Sequence, residues 1–164
     1  MSVTLAYDSN LTVVETLEAN VPAASSANRR VTHSLFNTTK ALNAATVPPV
    51  TKIAAFNKAL VAGAATIDLT ALLGTNGATV DGTGLKVVAF KAKAPAANAN
   101  EITLTEGAVD GYALAGATFK IGVKPGQEVT FYGDDDAPVI AGADKTIDMA
   151  GTGVQTLDIE IVMG

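Results

Sequence analysis

The chain offers few side chains for chemistry, and their spacing limits what they can do. His33 is the single histidine among 164 residues, and there is no cysteine. Thiolate nucleophiles, disulfides and cysteine-based zinc sites are therefore excluded. His33 follows Arg29 and Arg30 closely, and no Gly-x-Ser-x-Gly elbow supplies it with a nucleophile. A general base needs a partner within hydrogen-bond reach, so His33 is expected to be a polar structural or surface residue. Asp134-Asp135-Asp136 is the strongest metal-like feature. Calcium needs about six to eight oxygen ligands, often from a bent loop. Three consecutive aspartates do not all point one way, and no EF-hand spacing follows, so a solvated loop is expected. Asp81-Gly82-Thr83-Gly84 lacks the lysine and spacing of a phosphate cradle and reads as a turn. Any two carboxylates can meet in space, but nothing local points to an acid–base pair. The expectation is a non-enzymatic protein without metal or cofactor.

Other residues suggest contact. Arg29-Arg30 is the only basic doublet. It reads either as the solvated flank of a strand or as a contact for an acidic neighbour. Leu11 and Val13 stand with Leu5, Tyr7, Val14 and Leu17 ahead of a Pro/Ala/Ser stretch. An apolar segment left free exposes its side chains to water, whereas docking on a neighbour buries them. Leu11, Val13, Arg29 and Arg30 are therefore the candidate partner-binding residues. The sequons Asn10-Leu11-Thr12 and Asn37-Thr38-Thr39 are read as accidental, because the N-terminus shows no recognisable secretory signal.

The elements that would hold these residues are strands. Apolar residues alternate in Thr118–Lys124, in Glu128–Tyr132 and from Leu157 to Met163. Side chains alternate faces along a strand, so each segment has one buried and one wet face. Leu85–Ala94 contains the run Val87-Val88-Ala89-Phe90 and predicts burial on both faces. Residues 31–42 and 50–61 fit helix or strand; their Thr and Asn content and the turn at Gly63 favour strand. Lys124-Pro125-Gly126-Gln127 fits a type II turn. Asp68–Gly74 suggests one helical turn closed by Gly74. Thr66-Ile67-Asp68-Leu69 echoes Thr146-Ile147-Asp148-Met149. The predicted fold is an all-β antiparallel sandwich, jelly-roll or Ig-like, of about eight to ten strands. Residues 1–30 would form an N-terminal arm or extra strand and residues 31–164 the sandwich. Its core would include Phe90, Ile102, Leu104, Phe119, Ile121, Val123, Val129, Phe131, Ile159 and Ile161.

Composition narrows the partners. The chain has 30 Ala, 20 Thr and 15 Gly but only 5 Phe, 3 Tyr and no Trp. Such a core has few large anchors, and association with copies or a scaffold would compensate. The net charge of −5 argues against nucleic-acid binding, which depends on cations neutralising phosphates. No apolar stretch approaches the length of a membrane span.

Thr46-Val47-Pro48-Pro49-Val50-Thr51-Lys52, Ala65–Thr70, Phe131-Tyr132-Gly133 and the closing Thr146–Val162 together resemble small β-sandwich virion proteins of tailed bacteriophages. Among these the chain looks most like a capsid decoration, or cement, protein. The resemblance covers about residues 31–164 and rests on short phrases. It implies binding of the major capsid protein on the outside of a virion and self-association, often as a trimer; the N-terminus, with no recognisable signal, leads to the expectation of synthesis in the host cytoplasm. A tail or head-fibre component is the second expectation. A carbohydrate-binding sandwich is the third, disfavoured by the scarcity of aromatic platforms.

Overall fold

The computed structural model describes residues 2–16, 30–33 and 37–164. By internal contacts the chain forms two compact units: Leu5–Ala41, and Met1–Thr4 together with Leu42–Gly164. The smaller unit holds β1 (Leu5–Ser9), β2 (Val13–Thr16), β3 (Arg30–His33) and the greater part of β4 (Thr38–Leu42). β1 pairs with β4, and β2 pairs antiparallel with β3, placing Val13 opposite His33 and Thr16 opposite Arg30. This division at Leu42 is a different one from the expected arm limit at residue 30; residues 17–29 lie outside the described residues.

The larger unit contains β5 (Lys52–Ala59), β6 (Ala64–Asp68), β9 (Val87–Lys93), β10 (Ile102–Glu106), β11 (Lys120–Val123), β12 (Glu128–Tyr132), β13 (Thr146–Ala150) and β14 (Thr156–Met163). They form two four-stranded sheets, ordered β12-β9-β14-β5 and β11-β10-β13-β6. The antiparallel pairs are nested: β5 with β14, β6 with β13, β9 with β12, and β10 with β11. This is the pairing order of an eight-stranded jelly roll, a long hairpin wrapped so that its arms fall alternately into two sheets. The fold is all-β, as the alternating pattern predicts, and the jelly-roll alternative is the one its connectivity matches.

Inward residues of both sheets join one buried cluster that includes Phe90, Ile102, Leu104, Phe119, Val123, Ile147, Ile159 and Ile161, with Ile121, Val129 and Phe131 packed partly buried against it. Every residue of the predicted core is accounted for there. The run Val87–Phe90 is buried throughout, with exposures of 0, 0, 8 and 1%. A register shift explains part of it. Val162 pairs with Ala89 but Met163 pairs with Val87, so two residues of β9 oppose one step of β14. Such a bulge breaks the strict alternation and returns Val87 to the core.

The connections follow from the sheet switching. The Lys124–Gln127 turn is closed by the Gln127 N–H donating to the Lys124 carbonyl at 2.9 Å, and Gly126 has φ +78°. Its flanking strands β11 and β12 belong to different sheets, which is why the turn is not of the primed, twist-matched kind found in ladder hairpins. The helical turn expected at Asp68–Gly74 is a correction. Leu72–Leu73 is instead a short strand, β7, paired antiparallel with β8 (Thr79–Val80) around Asn76-Gly77. Leu72 is 3% exposed and Leu73 54%, an alternation that a helical turn would not bury. The Thr-Ile-Asp echo is a direct ladder contact: Ile67 opposes Ile147, and the Thr66 hydroxyl donates to Asp148 Oδ1 at 2.6 Å.

Tyr112, fully buried in the β10–β11 connection, clamps one end of this unit. Its hydroxyl donates to the Pro138 carbonyl at 2.7 Å and accepts the Val87 N–H at 3.1 Å, at the bulge. Burial pushes the phenol up to about 12; the Val87 N–H opposes that and Asp144 adds to it. Removing the hydroxyl strands two buried polar groups, so Tyr112→Phe is expected to cost about 1–3 kcal/mol in urea denaturation. In the unfolded chain the same tyrosine has an ordinary pKa of about 10 and so ionises before the folded one. Stability is therefore unaffected by this group below pH 10 and falls as pH rises from about 10 to about 12. Tyr112→Phe should lose that alkaline slope.

Candidate functional site

The expected contact residues fall in the smaller unit. Leu11 is 70% exposed and Val13 49%. The Leu11 N–H donates to Asn37 Oδ1 at 2.9 Å, and Asn37 Nδ2 reaches Thr12 Oγ1 at 3.3 Å, so the segment carrying Leu11 is tied to the chain entering β4. Arg30 opens β3 opposite Thr16, and His33 closes it opposite Val13. Arg29 lies outside the described residues.

Two of the three consecutive aspartates engage different neighbours. Asp134, at φ +48°, accepts the Tyr132 hydroxyl at 3.1 Å. Asp135 pairs with Lys86 Nζ at 3.1 Å, and its carbonyl accepts the same ammonium at 2.5 Å. Both aspartates are engaged with different neighbours, an arrangement that serves loop anchoring. Among the described residues no group of three or more His, Asp or Glu side chains converges as a metal site would require.

Two other aspartates build loops. Asp68 Oδ1 accepts the Thr70 N–H at 2.9 Å and its hydroxyl at 2.6 Å; Asp81 Oδ1 accepts the same pair of groups from Thr83 at the same distances. These Asx-type turns sit at either side of the β7–β8 hairpin. Desolvation raises the Asp68 carboxyl, but the Thr70 hydrogen bonds and Lys145 outweigh it and hold it below the usual range. The Thr83 hydroxyl and N–H likewise hold Asp81 low, with help from Lys52. Asp81-Gly82-Thr83-Gly84 is thus a turn, as its sequence reads, with Gly84 at φ +78°.

Sequence reasoning missed the polar clasps at the opposite loop end. Gln155 is 4% exposed; its Nε2 donates to the Thr152 carbonyl at 2.6 Å and its Oε1 accepts the Asn100 N–H at 2.9 Å. Asn98 exchanges two bonds with the Thr156 backbone, donating at 2.8 Å and accepting at 3.2 Å. An amide that imitates a strand partner has no sequence signal beyond an Asn in a loop.

The outer faces of the two sheets differ in chemistry. On β11-β10-β13-β6 the outward residues are mostly small: Thr66, Thr103, Thr105, Ala64, Ala150 and Gly122. The Asp148 carboxylate there is spent on the Thr66 hydroxyl and on the Ala108 N–H at 2.9 Å. On β12-β9-β14-β5, charges form columns. Lys91 and Lys93 stand on β9, directly opposite Glu160 and Asp158 on β14. A trough of about 320 Å³ on this face is lined by these four charged residues together with Ala55 of β5. Facing charges in register are not the ones that pair. Lys91 bridges to Glu128 on β12 at 3.3 Å, and Asp158 Oδ1 accepts Asn57 Nδ2 at 2.9 Å.

The separate neighbours of Asp134 and Asp135 predict that chelation leaves the melting temperature unchanged and that added calcium does not raise it by several degrees, as scanning calorimetry would register. The Asp68 and Asp81 shifts predict an acid effect. Folded carboxyls held low stabilise fully above the unfolded value of about 3.9 and lose that contribution as pH falls through their lower folded values. In acid titrations, Asp68→Asn should flatten this loss relative to the native chain.

Comparison with known proteins assigns no family: no family model matches the chain, and neither does any curated protein or any solved structure.

Proposed function

We propose that this chain is a structural virion protein that binds and stabilises the outer surface of a bacteriophage capsid, acting by contact and without catalysis. The observation that carries the reading is the smaller β unit, Leu5–Ala41, with Leu11 70% and Val13 49% exposed within three residues of each other. Single exposed apolar side chains are ordinary on protein surfaces. Two close together, on a segment tied down by Asn37 and belonging to a unit separate from the core, form a patch that a protein surface would bury. The partner in this reading is the major capsid protein. The likeness of Thr46–Lys52 and Thr146–Val162 to decoration proteins supports the same assignment. The jelly roll is compatible with it, but that fold serves capsid components and lectins alike, so it does not choose between them.

The test is co-sedimentation of the full chain with purified tailed-phage capsids. The native chain should pellet with them. Leu11→Asp combined with Val13→Asp should weaken attachment by at least about tenfold, equivalent to about 1.4 kcal/mol, while melting stays within about 0.5 kcal/mol of native stability. A native chain that ignores capsids but binds a tail protein or a glycan would overturn the decoration reading.

A further inference from the structure

We propose that the outer face of the sheet β12-β9-β14-β5 is a self-complementary contact for a second copy of this chain. This contact follows from strand register and involves no capsid. β9 presents a column of cations, Lys91 and Lys93, and its ladder neighbour β14 presents a column of anions, Glu160 and Asp158, at the same two levels. Consider a two-fold axis parallel to the strands, lying between these columns just above the sheet. It turns each face onto the other without changing the level along the strands. The cation column of one copy then stands over the anion column of the other, twice per contact, with Lys93 facing Asp158 and Lys91 facing Glu160. The flanking strands agree: Asn57, level with Asp158 on β5, falls over Glu128, level with Lys93 on β12, and can donate to it. A two-fold contact of this kind must match itself, and adjacent columns of opposite sign satisfy that condition.

The protomer leaves charges available for it. Lys93 and Glu160 are exposed and make no ion pair with any described residue, although each stands opposite an unlike charge in the ladder. On the other outer face the aspartates are already bonded within the protomer, Asp148 to Thr66 and Ala108 and Asp68 to Thr70.

Size sets the strength. Four strands about 4.8 Å apart, with two charged levels about 7 Å apart, bury a few hundred Å² on each side, below the roughly 800 Å² of a standard interface. The isolated contact is therefore weak and salt-sensitive, and it gains strength when copies are held side by side on a common support.

Sedimentation equilibrium of the full chain, without capsids, tests the proposal separately from the capsid reading. Raising salt from about 50 to about 500 mM should weaken self-association of the native chain at least about tenfold. Lys91→Glu with Lys93→Glu makes the face wholly acidic, and Asp158→Lys with Glu160→Lys makes it wholly basic. Each variant alone should be monomeric. Their equimolar mixture should associate at least about tenfold more tightly than the native chain. Should a reversed face fail to fold by circular dichroism, the neutral pair Lys93→Gln with Glu160→Gln should weaken native association about tenfold instead. A native chain that stays monomeric at low salt overturns the proposal. So does association unchanged by either set of substitutions, or a mixture of two folded reversed variants that remains monomeric.

Discussion

The pairing of β14 along both of its edges is the constraint on which the larger unit depends. Its inward residues Leu157, Ile159, Ile161 and Met163 are 0, 3, 0 and 0% exposed, and its backbone is bonded to β5 on one side and β9 on the other. Both partners lie far back in the chain, with Leu157 opposite Lys58 and Ile161 opposite Phe90. The loop entropy of closing such contacts is lost before the contacts reward it, so folding of this topology is slow and cooperative. Register is strongly specified for the same reason. A slip of one residue would turn Asp158 and Glu160 into the core and Ile159 and Ile161 into water.

A core with few large side chains constrains the loops as well. Inward positions such as Ala54, Ala92 and Ala94 are fully buried yet contribute little apolar area each. Polar clasps supplement them at both loop ends: Tyr112 at one, Gln155 and Asn98 at the other. Each satisfies backbone groups that the sheet switching takes off the ladders, and no buried side-chain polar atom among the described residues lacks a partner. Gly107 belongs to the same economy of space: a side chain there would run into the Thr146 hydroxyl, which itself bonds the Val109 carbonyl.

The distribution of charge separates side chains that hold the scaffold from those left to solvent. Asp68, Asp81, Asp135 and Asp148 hold turns and strand neighbours, so part of the acidity of the chain is structural. The outer face of β9 and β14 is different, because its unlike charges are arranged in columns and only partly paired within the protomer. The two contacts proposed above, one on this face and one at exposed Leu11 and Val13, would each be modest alone and gain from repetition.

Amphipathic alternation was enough to define β11, β12 and β14 and their buried faces. Phe119 and Val123, Val129 and Phe131, and Ile159 and Ile161 occupy the core side because the period of a strand is two and apolar area leaves water. Turn chemistry was equally local: Pro125-Gly126 and Asp81-Gly82 carry their own backbone preferences. The candidate contact residues were legible only as an apolar segment and a basic doublet, because exposure depends on what else folds over them. What the sequence could not decide was pairing across long separations. A helical turn and the strand β7 compete within Asp68–Gly74, and the partner strand Thr79–Val80 settles it. The Thr-Ile-Asp echo became a ladder, Tyr112 found Val87 and Pro138, and Lys91 chose Glu128 over Glu160. These outcomes depend on which strands share a sheet and at what register, and that is set by packing the whole core, not by any local run of residues.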